Sequence, residues 1–182
     1  MNTIRLVSPS DASDILRIYE PIVRETAISF EFEPPTLAEM QGRIDKIGKV
    51  YPWLVAVSGD SITGYAYASQ HRERPAYQWS VDVSVCVAEA ARRCGVARAL
   101  YGQLLSALVE LGYYTAHAGI ALPNDASVAL HESIGFKPIG VYRNVGYKLG
   151  RWHDVGWWQR ELRPYSSEPS PPRRIVDQGE LR

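Results

Sequence analysis

Cysteine is scarce in this chain. Cys86 and Cys94 are the only two among 182 residues, and they form no CxxC pair. That excludes a disulfide framework and a cysteine-built metal site. The four histidines, His71, His117, His131 and His153, are scattered, and none has HExxH spacing. A metal cofactor is therefore not expected. There is no excess of either charge: twenty basic residues balance twenty acidic ones. Without a global field, nucleic acid and anionic membrane are not expected partners, and any bound anion must be held by local groups. No apolar run approaches the ~20 residues that cross a bilayer, and Met1 to Val7 lacks the basic start and apolar stretch of a signal peptide. A cytoplasmic protein is expected. What remains is an ordinary globular composition, 46% hydrophobic and 22% charged, at a length that suits one domain.

Ile4 to Val7 reads as a first strand, broken by Ser8-Pro9-Ser10. Ser10 is a candidate N-cap for a helix to about Glu25, which Pro21 should kink or split. Phe30 and Phe32 lie in an irregular segment, and Thr36 with Glu39 fits a capping box for a helix over Leu37 to Ile47. Trp53 to Val57 and Ile62 to Ser69 flank the turn Ser58-Gly59-Asp60-Ser61 and read as a hairpin. After the charged loop QHRERPA, a long alternating strand is expected from Tyr77 to Val87, with Trp79, Val81, Val83, Val85 and Val87 on one side. Leu100, Tyr101, Leu104, Leu108 and Leu111 then recur at helical spacing from Ala97, up to a Gly112 stop. A strand over Thr115 to Leu122, a helix over Ala126 to Ile134, and strands over Lys137 to Val145 and Trp152 to Leu162 complete the order. The expected class is α/β (α+β mixed): a mixed central sheet flanked by helices, in one domain over residues 1–164. Residues 165–182, rich in Pro, Ser, Glu and Arg, read as a flexible tail.

The segment from Val83 to Leu105 is the most informative. A strand runs into Arg92-Arg93-Cys94-Gly95-Val96-Ala97 and then into a strong helix. A small-residue turn at a helix N-terminus gathers unpaired N–H groups, and with the helix dipole these make a phosphate site. Arg92, Arg93 and Arg98 add side-chain charge. The same features suit an ordinary turn with solvated arginines. GxxxxGK[ST] is absent, and no GxGxxG follows a strand.

Arg92 to Ala97 resembles the (Q/R)xxGx(G/A) pyrophosphate loop of the GCN5-related N-acetyltransferase (GNAT) superfamily. Asn124, Ser127, His131 and Gly135-Phe136 resemble its second cofactor motif. YPWLVA, GYAYA, GIALPNDASVALHESIGF and WHDVGWWQ are similar to the phosphinothricin N-acetyltransferase family over roughly Ile4 to Leu162. Within it, YAYASQHR and WSVDVSV look closest to the branch that acetylates arsinothricin, the arsenic analogue of phosphinothricin. Methionine sulfoximine is a third substrate of the family.

The resemblance implies a GNAT fold, acetyl-CoA as co-substrate without a metal, direct acetyl transfer to the α-amino group of a glutamate-like amino acid, and a homodimer. It implies that Val85, Cys86 and Val87 offer backbone groups to the pantetheine arm and that Arg92, Arg93, Cys94, Gly95, Val96, Ala97 and Arg98 wrap the pyrophosphate. The valine side chains suit a core equally well. Asn124 would bond the pantetheine, with Ser127 nearby; on the sequence alone Asn124 is equally a helix N-cap. Asp82 falls where the family usually carries a catalytic glutamate. Being one methylene shorter, it is expected to act through a water or to orient the ammonium, or else to be a solvent-facing carboxylate. His131 falls where many members place a tyrosine acid, and an imidazole there could protonate the departing sulfur or simply pack. Arg72 and Arg74 suit an anionic headgroup or a solvated loop, and Phe30 matches an aromatic wall of the substrate slot. Two other readings stay open: a protein or peptide N-acetyltransferase, and an acyl-CoA-binding sensor without catalysis.

Overall fold

The computed structural model describes residues 3–175. Seven strands, β1 (Thr3–Leu6), β2 (Trp53–Ser58), β3 (Ser61–Gln70), β4 (Ser80–Val87), β5 (Thr115–Leu122), β6 (Lys137–Lys148) and β7 (Arg151–Glu161), form one sheet in the order β1-β2-β3-β4-β5-β7-β6. Four α-helices accompany it: α1 (Ala12–Glu25), α2 (Leu37–Gly48), α3 (Val96–Leu111) and α4 (Asp125–Ser133). This is the expected mixed sheet flanked by helices. Every strand pair is antiparallel except β4 with β5. No helix among the described residues is long and apolar enough to cross a membrane.

The strand alternation puts one core on each face. On one, α3 buries Leu100, Tyr101, Leu104 and Leu108 against Leu54, Ala66, Val81, Val83, Ala116 and Trp158. Truncating any of those leucines to alanine costs about 2–5 kcal/mol. On the other face, α1 and α2 pack Ile15, Ile18, Met40 and Ile44 over Trp53, Val55 and Tyr65. The second core covers the β1–β3 side and reaches Cys86 on β4, and beyond it β5 and β7 leave the same face open.

One irregularity positions everything that follows. β4 pairs with β3 along Val81–Val87, and β5 pairs with β7 along its whole length. β4 and β5 pair with each other only at Ser80–Thr115, Val81–Ala116 and Asp82–His117. Beyond Asp82 and His117 the two strands separate, and the sheet opens as a wedge with those two residues at its vertex.

Several local expectations need correction. The first helix is not capped by Ser10: a 3-10 turn, Pro9–Asp11, comes first. Asp11 receives the Ser8 N–H at 2.8 Å and both guanidinium nitrogens of Arg5 at 2.7 and 2.8 Å. Pro21 neither splits α1 nor ends it; it and Arg17, whose carbonyl loses a helical N–H donor there, are both exposed to solvent. The Thr36–Glu39 capping box forms as read. The strand expected from Tyr77 starts at Ser80, because Pro75–Tyr77 coils into a 3-10 turn. β6 runs three residues beyond the expected Val145.

The stretch from Tyr165 read as a flexible tail returns to the domain as far as it is described. Tyr165 stacks on Tyr114, Trp79 Nε1 donates to the Ser170 carbonyl at 2.8 Å, and the Arg173 N–H donates to Leu111 O at 2.8 Å. Ile175 is buried in the α3-side core. Residues 176–182 of that expected tail lie outside the described residues.

Candidate active site

The loop between β4 and α3 has the shape a diphosphate needs. Arg93 (φ +62°) and Gly95 (φ +79°) both take left-handed backbone, with Cys94 between them. Such alternation turns consecutive N–H groups to one side, forming an anion-binding nest. The first i→i−4 bond of α3 is Ala99 N–H to Gly95 O at 3.0 Å. The N–H groups of Val96, Ala97 and Arg98 therefore point out of the helix start, where its dipole favours negative charge. Arg92 and Arg93 are exposed beside them. Arg92 also lines a cavity of about 390 Å³ with Val87, Ala88 and α1 residues Asp14 and Arg17. Arg98 is placed differently: it donates to Ser133 Oγ at 2.7 Å and so ties α3 to α4. The Cys94 thiol reaches only the Arg92 carbonyl.

Within the wedge, the side chains of Val85 and Val87 pack on the α3-side core. They are thus core residues whose backbone borders the opening. Cys86 points to the other face, and burial pushes its thiol up, away from the thiolate. At the far wall Asn124 is the N-cap of α4, its Oδ1 accepting the Ser127 N–H at 3.2 Å. The cap leaves the amide NH₂ free of that bond, so the N-cap and pantetheine roles are compatible. Leu122, Pro123 and Asn124 line a second cavity, about 330 Å³, with Thr26, Ala27 and Ile28 after α1. An extended amide-bearing arm, entering from an anion nest and passing between unpaired strand edges, fits this opening.

At the vertex the open face carries a compact polar cluster. Asp82 Oδ1 lies 2.6 Å from His71 Nδ1. The His71 ring stacks on His117, with centroids 4.1 Å apart and planes within 13°. Trp157 meets His71 edge-on, and Arg72 lies 5.7 Å from the Trp157 ring centroid. Gly119, opposite Trp157 in the β5–β7 register, makes room for that indole: a Cβ there would meet its carbons at 3.3 Å. Two buried nitrogens, His117 Nδ1 and Trp157 Nε1, have no hydrogen-bond partner among the described residues. Burial pushes the Asp82 carboxyl up, and the His71 hydrogen bond and Arg72 partly offset it. Burial, reinforced by His71 and Arg72, pushes His117 down to about 4.

The predicted residues distribute unevenly. Asp82 and Arg72 come together at the vertex, whereas Arg74 is exposed and its side chain has no hydrogen bond or ion pair among the described residues. Phe30 lies against Gly146 and 6.2 Å from the His153 ring, in the loop between α1 and α2. That loop is held by Lys148, which donates to Val23 O at 2.5 Å and Ser29 O at 2.6 Å. His131 is buried, with both ring nitrogens engaged inside the protein. Nδ1 donates to Ser127 O at 2.7 Å, so Nε2 accepts from the Tyr101 hydroxyl at 3.0 Å. Burial pushes this imidazole down, holding it neutral. The sequence reading missed His71, His117 and Trp157. A signal for His71 did exist: Ser69 pairs with Asp82 across the β3–β4 hairpin, and a residue two further on shares its face.

Known proteins resemble this chain in sequence and fold. Residues 4–157 match the family described as acetyltransferase (GNAT) domain. The chain is 37% identical to a phosphinothricin N-acetyltransferase of Streptomyces viridochromogenes, covering 94% of this chain and 92% of that one. It is 32% identical to an L-methionine sulfoximine/L-methionine sulfone acetyltransferase of Salmonella typhimurium, covering 88% and 94%. Its fold superposes with a TM-score of 0.88, at 33% identity and over 99% of this chain and 95% of the other, on the crystal structure of a GNAT superfamily phosphinothricin acetyltransferase from Sinorhizobium meliloti in complex with acetyl-CoA. With an anion-binding nest beside an open wedge of the sheet, and with these relatives, the chain belongs to the GNAT family and is an acetyl-CoA-dependent N-acetyltransferase.

Proposed function

We propose that this enzyme acetylates the α-amino group of a glutamate-like amino acid with a second polar or anionic headgroup. Phosphinothricin and arsinothricin lead, and methionine sulfoximine follows. The observation that carries the reading is the vertex cluster: a carboxylate, a guanidinium and two unpartnered buried nitrogens converge where the wedge closes. A carboxylate suits an ammonium, and an arginine beside unpartnered donors suits an anion. The names of the relatives, which act on phosphinothricin and methionine sulfoximine, point to the same substrate class.

In this reading Arg92 to Arg98 hold the pyrophosphate, the Val85–Val87 backbone and Asn124 hold the pantetheine, and Ser127 lies beside them. Bound there, acetyl-CoA supplies the activated acetyl group. Asp82 orients the ammonium and Arg72 holds the headgroup, while Phe30 walls the slot. Direct transfer needs no acetyl-enzyme, since neither the Cys86 thiol nor the Cys94 thiol belongs to the vertex cluster. For His131, engaged at both nitrogens, the geometry favours a positioning role that joins α4 to α3 through Tyr101. A homodimer is part of the proposal: Ile139, Val145, Tyr147 and Trp152, each at least half exposed, leave an apolar β6–β7 edge for a second copy to cover. The setting is the cytoplasm, which supplies acetyl-CoA.

The test is thiol release from acetyl-CoA with phosphinothricin, arsinothricin and methionine sulfoximine side by side. Turnover with at least one, with kcat/KM ranking them, is expected. Acetyl-CoA binding without turnover of any amino acid would overturn the substrate assignment.

A further inference from the structure

We propose that His71 is the base that removes the ammonium proton, and that Asp82, besides drawing in the ammonium, orients the His71 ring. The inference rests on the amino-acid acetyltransferase reading and adds a catalytic residue to it.

Asp82 Oδ1 is already engaged, 2.6 Å from His71 Nδ1. A carboxylate only accepts, so Nδ1 carries the proton and Nε2 carries the lone pair. Among the described residues Nε2 has no hydrogen-bond partner, and the His71 side chain is 13% exposed against 28% for Asp82. The aspartate thereby passes its basic function to the far nitrogen of the imidazole that it holds.

The surroundings hold the ring in that role. His117 on β5 stacks face to face with it at 4.1 Å, and Tyr77 and Trp157 meet its edge at 6.1 and 6.3 Å. The Arg72 guanidinium caps the His71 carbonyl at 2.8 Å and fixes the backbone. The charged or titratable neighbours are thus Asp82 from β4, His117 from β5, Arg72 from the same loop and Tyr77 from the 3-10 turn. His117, pushed down to about 4, is neutral at pH 7 and adds no positive charge beside a protonated His71. The arrangement is a carboxylate, an oriented imidazole and an open nitrogen at the vertex of the wedge, the logic of an acid–base dyad.

The proton balance closes. The substrate ammonium gives one proton to Nε2, and Asp82 stabilises the resulting imidazolium. The freed nitrogen lone pair attacks the thioester carbonyl carbon, a C–N bond forms, and the C–S bond breaks with its electron pair on sulfur. The second nitrogen proton goes to that sulfur, giving amide and thiol. His71 then returns its proton to water, so one proton is released per turnover.

His71→Asn tests this, because its amide NH₂ keeps a donor toward Asp82 but offers no base. At pH 7, kcat should fall by about 10²-fold or more, with acetyl-CoA affinity within twofold of wild type. The variant's rate should rise about tenfold per pH unit as the substrate loses its own proton. Asp82→Asn should lose a comparable factor, because an amide favours the wrong imidazole tautomer. A loss below tenfold in H71N, or one that is the same at every pH, overturns the base assignment while wild-type turnover keeps the function standing. A wild type that binds acetyl-CoA and acetylates no amino acid overturns both.

Discussion

Replacing Gly64 with alanine would drive a methyl group into the seam between β3 and the start of α3. An added Cβ would lie 2.9 Å from the Cys86 carbonyl oxygen, 3.1 Å from Val96 Cγ1 and 3.4 Å from Leu100 Cδ1. The first contact is with backbone of β4, which cannot swing aside, so the first turn of α3 must lift. Overpacking of this kind costs about 1–3 kcal/mol, which in a chain of this size lowers Tm by about 2–4 °C for each kcal/mol. The lift also moves the N–H groups of Val96 to Arg98 away from the anion nest. A helix-terminus anion contact contributes about 1 kcal/mol, so acetyl-CoA should bind roughly fivefold more weakly. Gly102, inside α3, is the matched control: a Cβ there meets nothing within 4 Å, and G102A should stabilise by about 0.5–1 kcal/mol. Thermal denaturation and calorimetric titration with acetyl-CoA read both effects. If G64A left Tm and affinity unchanged, or G102A fell as far as G64A, the close approach would not be what sets the loop.

Stability should fall with acidification, because between the unfolded value near 6.5 and about 4 the unfolded chain protonates His117 before the folded one does. His131 acts in the same direction and Asp82, pushed up, in the opposite one. H117Q should remove about 2 kcal/mol of that dependence, after allowance for water at the ring edge; equal Tm–pH slopes from pH 7 to 4.5 would contradict it. Truncation after Pro164 removes the buried Ile175 and the bonds to Trp79 and Leu111. It should cost about 3 kcal/mol, and an unchanged Tm would mean those contacts carry nothing. K148M leaves the buried Val23 carbonyl and the part-buried Ser29 carbonyl without their donor and should cost about 2–3 kcal/mol while raising the amino-acid KM more than the acetyl-CoA Kd. A fall in acetyl-CoA affinity alone would contradict that placement.

Features set by neighbouring residues were legible in the sequence. The β5 limits, the Thr36–Glu39 box, the Gly112 stop and the Arg92–Ala97 loop all follow from side chains within a few positions of one another. Errors came where a nonlocal partner decides. Polar, proline-rich composition concealed the return of Tyr165 to Ile175, whose order depends on Trp79, Leu111 and Val50 far back in the chain. The end of β6 departs from the expected Val145 because register shifts near Gly140 and Gly146 break its alternation. The site divides in the same way. Asp82 and Arg72 carry recognisable positions, whereas His71 acquires meaning only when the hairpin places it beside Asp82, and His117 only when β5 arrives alongside.

Lys148 gives the wedge a mechanical character. The two halves of the sheet are joined at the narrow end by three β4–β5 residue pairs. At the wide end, a lysine from the β6 side grips two carbonyls of the α1–α2 segment on the other side. A gap clamped at both ends has a fixed span. Ligands that slide into such a slot lose little free energy in ordering the protein, so acetyl-CoA should meet a slot already shaped, with adjustment confined to side chains such as Arg72.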